Sequence, residues 1–195
     1  MSGGGGAVTT TETVAETAPD DATLVSRARD GDMRAYEQLV LRYQGQMFRL
    51  AVKMLADRSD AEDVVQEVFL GAWRRLPQLN DDAAFVGWLY RMTTNRCLNV
   101  IRARRPTVEV DPETTESPRS DTQPEHAVQV STQLEALNAA LQLLTPEQRA
   151  CWLLREVHGL TYEEIGDIVE VNTTAVRGRI ARARAHLSEV MKPWR

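Results

Sequence analysis

Residues 160–184 read LTYEEIGDIVEVNTTAVRGRIARAR, and the fold is decided in this stretch. Thr161 with Glu164 three residues on is a capping box that opens a helix. Ile165, Ile168 and Val169 form its apolar stripe, Val171 enters the core from the turn, and Asn172 to Thr174 cap a second helix. On that second helix Val176 and Ile180 face inward, and Ala183 and Leu187 continue the stripe. Arg177, Arg179, Arg182 and Arg184 are left on the outer surface, in a run without an acid. This is the pattern of a helix-turn-helix, whose narrow second helix suits a DNA major groove, where arginine pairs with guanine edges or phosphates. The turn position that favours glycine holds Glu170, and a positive backbone angle there costs a non-glycine residue roughly 1 kcal/mol, so an altered turn is expected. The competing reading is a solvated helix with scattered arginines.

N-terminal to this motif, Thr145 and Pro146 predict a helix ending near His158-Gly159, and residues 133–144 a helix before it. Residues 106–130 hold one base, six acids and several prolines, which is the composition of a flexible acidic linker. Residues 22–105 carry helical periodicity throughout. Asp32 is a plausible N-cap, a helix over 47–55 follows with little break, Ser59 and Asp60 open a helix to about Leu76, and another spans about Ala83 to Arg104. Residues 1–21 have little to bury and read as a disordered tail. The fold class is all-α: two small helical domains, 22–105 and 131–195, joined by the linker at 106–130.

The net charge of −5 is unevenly spread, with the acids concentrated in the tail and linker while residues 25–105 carry 14 bases against 10 acids. Local field decides whether phosphate is attracted, so this charge does not exclude a nucleic-acid partner. No apolar run suffices for a membrane span, and the N-terminus lacks the features of a secretory signal. Cys97 and Cys151 read as reduced core residues of a cytoplasmic protein. His126, His158 and His186 are scattered, and neither a phosphate loop nor a metal-ligand spacing occurs, so the sequence offers no catalytic residues, metal site or cofactor and does not read as an enzyme.

In the helix near residue 60, Val65, Val68, Phe69, Ala72 and Trp73 are expected in the core, with Asp63, Glu67, Leu70 and Arg74 on another face. That face is either solvated or a surface for a basic partner helix. In the next helix Phe85, Leu89 and Met92 stand at core spacing, with Trp88 beside them. Asn95 and Asn99 share a face with Arg91, Arg96 and Arg102, a set suited to exposed bases and a phosphate backbone.

The stretches at 60–69, 88–96 and 160–184 occur in the order seen in the extracytoplasmic-function (group 4) sigma factors of the sigma-70 family, and the sequence resembles that family over residues 22–105 and 131–192. The resemblance implies an alternative sigma factor that binds core RNA polymerase and directs promoter-specific initiation. Asp60, Glu62, Asp63, Gln66, Glu67 and Leu70 would then dock on the clamp helices of the polymerase's largest subunit. Trp88, Arg91, Asn95, Arg96, Asn99 and Arg102, with the loop 77–84, would read the melted minus-ten element. Thr173, Thr174, Arg177, Gly178, Arg179, Ala181, Arg182 and Arg184 would read the minus-thirty-five element, Gly178 replacing a common Ser and Ala181 a larger side chain. It also implies a contact with the polymerase flap, promoter DNA as ligand, an anti-sigma partner, no membrane insertion and a place in the cytoplasm on the nucleoid. A helix-turn-helix regulator acting without polymerase is the alternative.

Overall fold

A computed structural model describes residues 19–104 and 125–192, the first nine of the second segment by backbone alone. Residues 1–18 of the expected tail and most of the expected linker at 106–130 lie outside the described residues, and Asp21, the last residue of the expected tail, already opens a helix. Within them every regular element is a helix.

Helix α1 (Asp21–Arg29) is capped by Asp20, whose carboxylate accepts from the Thr23 N–H at 2.8 Å. Helix α2 (Met33–Leu55) is capped by Asp32, as the sequence suggested, but it runs unbroken where a second helix from Met47 was expected. The physical reason is its stripe: Leu39, Tyr43, Met47, Leu50 and Met54 are buried in one continuous row, so packing holds the middle of the helix. Helix α3 (Arg58–Arg75) is capped by Asp57, ahead of the expected start at Ser59. Pro77 then falls in a single 3-10 turn, Leu76–Gln78, and a second such turn, Asp82–Ala84, leads into α4 (Phe85–Arg104). Asp82 pairs with Arg29, tying this connection to α1.

Helix α5 (Glu125–Gln142) begins inside the stretch expected as linker and well before residue 133. Helix α6 (Pro146–Glu156) opens on a capping box between Thr145 and Gln148. Helices α7 (Tyr162–Val169) and α8 (Thr173–Val190) form the helix-turn-helix, with the Thr161–Glu164 capping box and the Asn172 cap both present.

The core of the N-terminal domain gathers Leu24, Leu39, Met47, Leu50, Phe85 and Leu89; that of the C-terminal domain gathers Leu141, Leu153, Leu154, Ile165, Val176 and Ile180. The two are not held apart. Helix α4 packs on α7, and α2 on α6. Arg149 of α6, 5 % exposed, fastens this joint. Its guanidinium donates to the Leu141 and Gln142 carbonyls, at 2.8 and 2.9 Å, and to the Met54 carbonyl at the end of α2. A buried cation is tolerated where carbonyls at helix C-termini satisfy its donors in this way.

Candidate functional site

The helices present three surfaces. The first is an open groove of 740 Å³ between α2 and α3, floored by Tyr36, Phe48, Phe69 and Trp73. The Tyr36 and Trp73 rings lie 4.8 Å apart, and the Tyr36 hydroxyl donates to the Phe69 carbonyl at 2.5 Å, which fixes both aromatics. Met33 and Leu70 are 61 % and 51 % exposed on the rim, so the groove carries apolar surface that nothing among the described residues covers. Glu62 and Gln66 line it, and Asp63 and Glu67 are exposed on the same helix.

The sequence-derived core stripe of α3 is corrected here. Ala61, Val64, Val68, Phe69 and Ala72 are the buried residues, whereas Val65 and Trp73 are half-buried and line the groove. Met33 and Phe48 were missed because they come from α2, which no spacing within α3 reveals. Asp60 stands apart from the groove, half-buried and paired with Arg104 of α4.

The second surface is a polar pocket of 650 Å³ on the other side of α3, against α4. It brings together Trp88, Arg91, Asn95, Arg96 and Asn99 as the sequence suggested, and adds Glu67, Arg75 and Met92, which it did not. Glu67 accepts from the Arg96 guanidinium at 2.9 Å. Arg102 does not line the pocket; it donates to Asn99 Oδ1 at 2.8 Å from beside it. Met92 and Trp88 are half-buried, while Tyr90, Thr93, Thr94 and Cys97 share the inner face of α4 with Phe85 and Leu89.

The third surface is α8. Thr174, Ala181 and Arg182 are exposed on its outer face, with Gly178 between them. Arg182 lies back over Gly178, so that a Cβ there would meet its guanidinium at 3.4 Å. The other arginines are not equivalent to it. Arg177 stacks over the Tyr162 ring at 5.2 Å, and Arg184 donates to Glu156 at 2.6 Å. Arg179 is half-buried on the side facing Asn95 and Arg102. The expectation that all four stand on the outer surface is therefore corrected for Arg179, because the pitch of the helix carries it toward the joint. Thr173 is half-buried at the start of α8.

The turn differs from expectation. Glu170 keeps the left-handed conformation, φ 56° and ψ 45°, and its N–H closes α7 onto the Gly166 carbonyl. Its carboxylate pairs with Arg91 of the other domain. Gly166 went unnoticed in the sequence. A Cβ there would stand 2.7 Å from the Val171 carbonyl oxygen, so the two helices approach as closely as they do only because residue 166 has none.

Among the described residues no group of three His, Cys, Asp or Glu stands where it could hold a metal, and no helix is long and apolar enough to cross a membrane. Cys97 and Cys151 are buried free thiols, and burial pushes the first up to about 12.

Residues 39–107 match the family Sigma-70 region 2, and residues 134–187 match Sigma-70, region 4. The chain is 36% identical over 187 residues to the RNA polymerase sigma-H factor of Pseudomonas aeruginosa, covering 91% of this chain and 96% of that one. It is 34% identical over 182 residues to the ECF RNA polymerase sigma-E factor of Escherichia coli K12, covering 89% and 95%. Among solved structures it is similar to CnrH in complex with the cytosolic domain of CnrY, at a TM-score of 0.69 and 28% identity over 89% of this chain and 97% of that one.

Proposed function

Since the chain belongs to the sigma-70 family and is an alternative sigma factor of the extracytoplasmic-function group directing transcription initiation, we propose that its three surfaces divide that work among polymerase, melted DNA and duplex DNA. The apolar groove between α2 and α3, with Glu62, Asp63, Gln66, Glu67 and Leu70 about it, receives the clamp helices of the largest polymerase subunit. An exposed apolar floor with an acidic rim suits an amphipathic partner helix carrying basic residues. Asp60 acts in this docking only indirectly, by holding α3 against α4 through Arg104.

The polar pocket between α3 and α4 takes unpaired bases of the minus-ten element. Asn95 and Asn99 offer amide donors and acceptors, Trp88 a stacking face, and Arg91 and Arg96 phosphate contacts, joined by Arg102 from beside the pocket. Helix α8 enters the major groove at the minus-thirty-five element with Thr174, Gly178, Ala181 and Arg182 foremost, and with Thr173, Arg177 and Arg184 at the edges. The C-terminal domain also meets the polymerase flap. A protein partner of the anti-sigma kind on this chain is part of the same proposal; CnrH, which the chain resembles, is solved with the cytosolic domain of CnrY. Through polymerase the protein resides on the nucleoid in the cytoplasm.

The observation that carries the reading is the polar pocket. A helix-turn-helix regulator working alone has no use for paired amides and arginines on a helix of its other domain. In run-off transcription, core polymerase plus this protein is expected to start at one class of promoter, and Asn95→Ala to weaken that product without weakening polymerase binding. Transcription that starts as readily without the protein contradicts the proposal.

Both promoter elements cannot be reached while α4 lies on α7. Sites about two DNA turns apart are ~70 Å from each other. The segment between Arg104 and Glu125 extends at most roughly 70 Å, so the domains must part before both helices engage.

A further inference from the structure

That parting has a visible trigger point. His158 follows α6 and lies at the joint, its Nδ1 3.0 Å from the Tyr90 hydroxyl of α4. The hydroxyl donates to Gln46 Oε1 of α2 at 3.0 Å. Having given its one proton to Gln46, the hydroxyl accepts from Nδ1, which leaves Nε2 of the neutral ring without a proton. Nε2 is buried, with no hydrogen-bond partner among the described residues. A second proton would therefore place an N–H, and a full charge, where no acceptor stands.

The groups around the ring make this worse. Arg49 and Lys53 of α2, both cationic, act on it. Tyr90 and Gln46 face it as neutral groups. From α7, Glu164 and Asp167 line the cleft beside Tyr90, but the Glu164 carboxylate is committed to the Thr161 N–H and hydroxyl. On the ring's own side Glu156 is taken up by Arg184, and Arg155 donates to the Leu160 carbonyl at 2.7 Å. The same joint holds the Arg91–Glu170 pair and the Gln142 amide on the Lys53 carbonyl at 3.1 Å.

We propose that His158 is the release of this joint: neutral, it lets the C-terminal domain lie over α4, and protonated, it leaves its site at Tyr90 and the domains separate. Separation frees Arg91 from Glu170. That this exposes a promoter-reading face rests on the function proposed above; the opening itself does not.

Burial first, then the Arg49 and Lys53 charges, holds the His158 ring in the joint at about 4, below its ordinary 6.5. A depressed histidine favours the closed form fully above pH 6.5, and that advantage is lost as the pH falls from 6.5 toward 4. From pH 8 to pH 5.5 the closed-to-open ratio should drop roughly tenfold.

The test is single-molecule energy transfer in the full chain, labelled through Glu37→Cys and Ala185→Cys, both exposed positions. The expected result is a compact population at pH 8, an extended one gaining about tenfold at pH 5.5, and a ratio insensitive to this pH change in His158→Gln. Equal ratios at the two pH values in the parent chain, or equal opening by acid in His158→Gln, overturn the proposal. Neither polymerase nor DNA is present, so this outcome is separate from that of the proposed function.

Discussion

Glu67 of α3 and Arg96 of α4 form an ion pair at 2.9 Å that joins the two functional faces of the N-terminal domain. Both partners line the polar pocket, Glu67 from the helix whose Glu62, Gln66 and Leu70 line the apolar groove, so the two surfaces share α3. An exposed pair of this kind contributes about 0.2–1 kcal/mol. Glu67→Gln should therefore weaken polymerase binding while strengthening the hold of the pocket on single-stranded minus-ten DNA by a factor of about 1.4–5. Fluorescence anisotropy of a labelled oligonucleotide checks the second effect; a weaker hold on the strand contradicts it.

Gly166 is the tightest point of the helix-turn-helix. Gly166→Ala drives a methyl group against the Val171 carbonyl, which is backbone and has little room to yield. A cost of about 1–3 kcal/mol is expected, read as a lower midpoint of denaturant unfolding of the C-terminal domain and a loss of duplex binding.

Glu170 provides the opposite experiment. Glu170→Gly relieves a left-handed conformation that disfavours side chains, a gain of about 1 kcal/mol, and at the same time deletes the pair with Arg91. Thermal unfolding of the C-terminal domain should rise, and the joint should open more readily at any pH. A variant whose domains stay as firmly closed as the parent's would show that the pair contributes nothing.

These three residues also mark how far the sequence could be read. The capping box at Thr161, the caps at Thr145, Asp32 and Asn172 and the inner stripe of α8 were legible, because each rests on residues close in sequence, whereas the Thr145–Gln148 box was not read. Of the expected stripe of α3, Val68, Phe69 and Ala72 are buried, but Val65 and Trp73 turn to the groove, since apolar residues stand on two of its faces and periodicity cannot say which one meets a core. The contacts of Arg149 and His158 across the joint drew no expectation, for their partners Met54 and Tyr90 are distant in sequence. The turn at Glu170 was expected to deform. It keeps the regular geometry, and the N–H of Glu170 and that of Val171 both close onto the Gly166 carbonyl.

Arg182 should dominate duplex recognition. Its side chain lies on the outer face of α8 over Gly178, whereas Arg184 is held by Glu156 and Arg179 is turned to the joint. Arg182→Ala should cost about 1–3 kcal/mol in promoter binding by the polymerase complex and leave association with core polymerase unchanged. Gel-shift titration of the assembled complex checks this, and a larger loss from Arg184→Ala would reverse the assignment.

The account stands most directly on the affinity of the pure protein for pure core polymerase, compared with that of a Leu70→Asp variant. Leu70 is half-exposed at the groove rim, so its replacement should spare the fold. The predicted result is firm association of the parent chain and a large loss in the variant, with helix content unchanged. A parent chain that does not associate, or a variant that binds equally well, would contradict it.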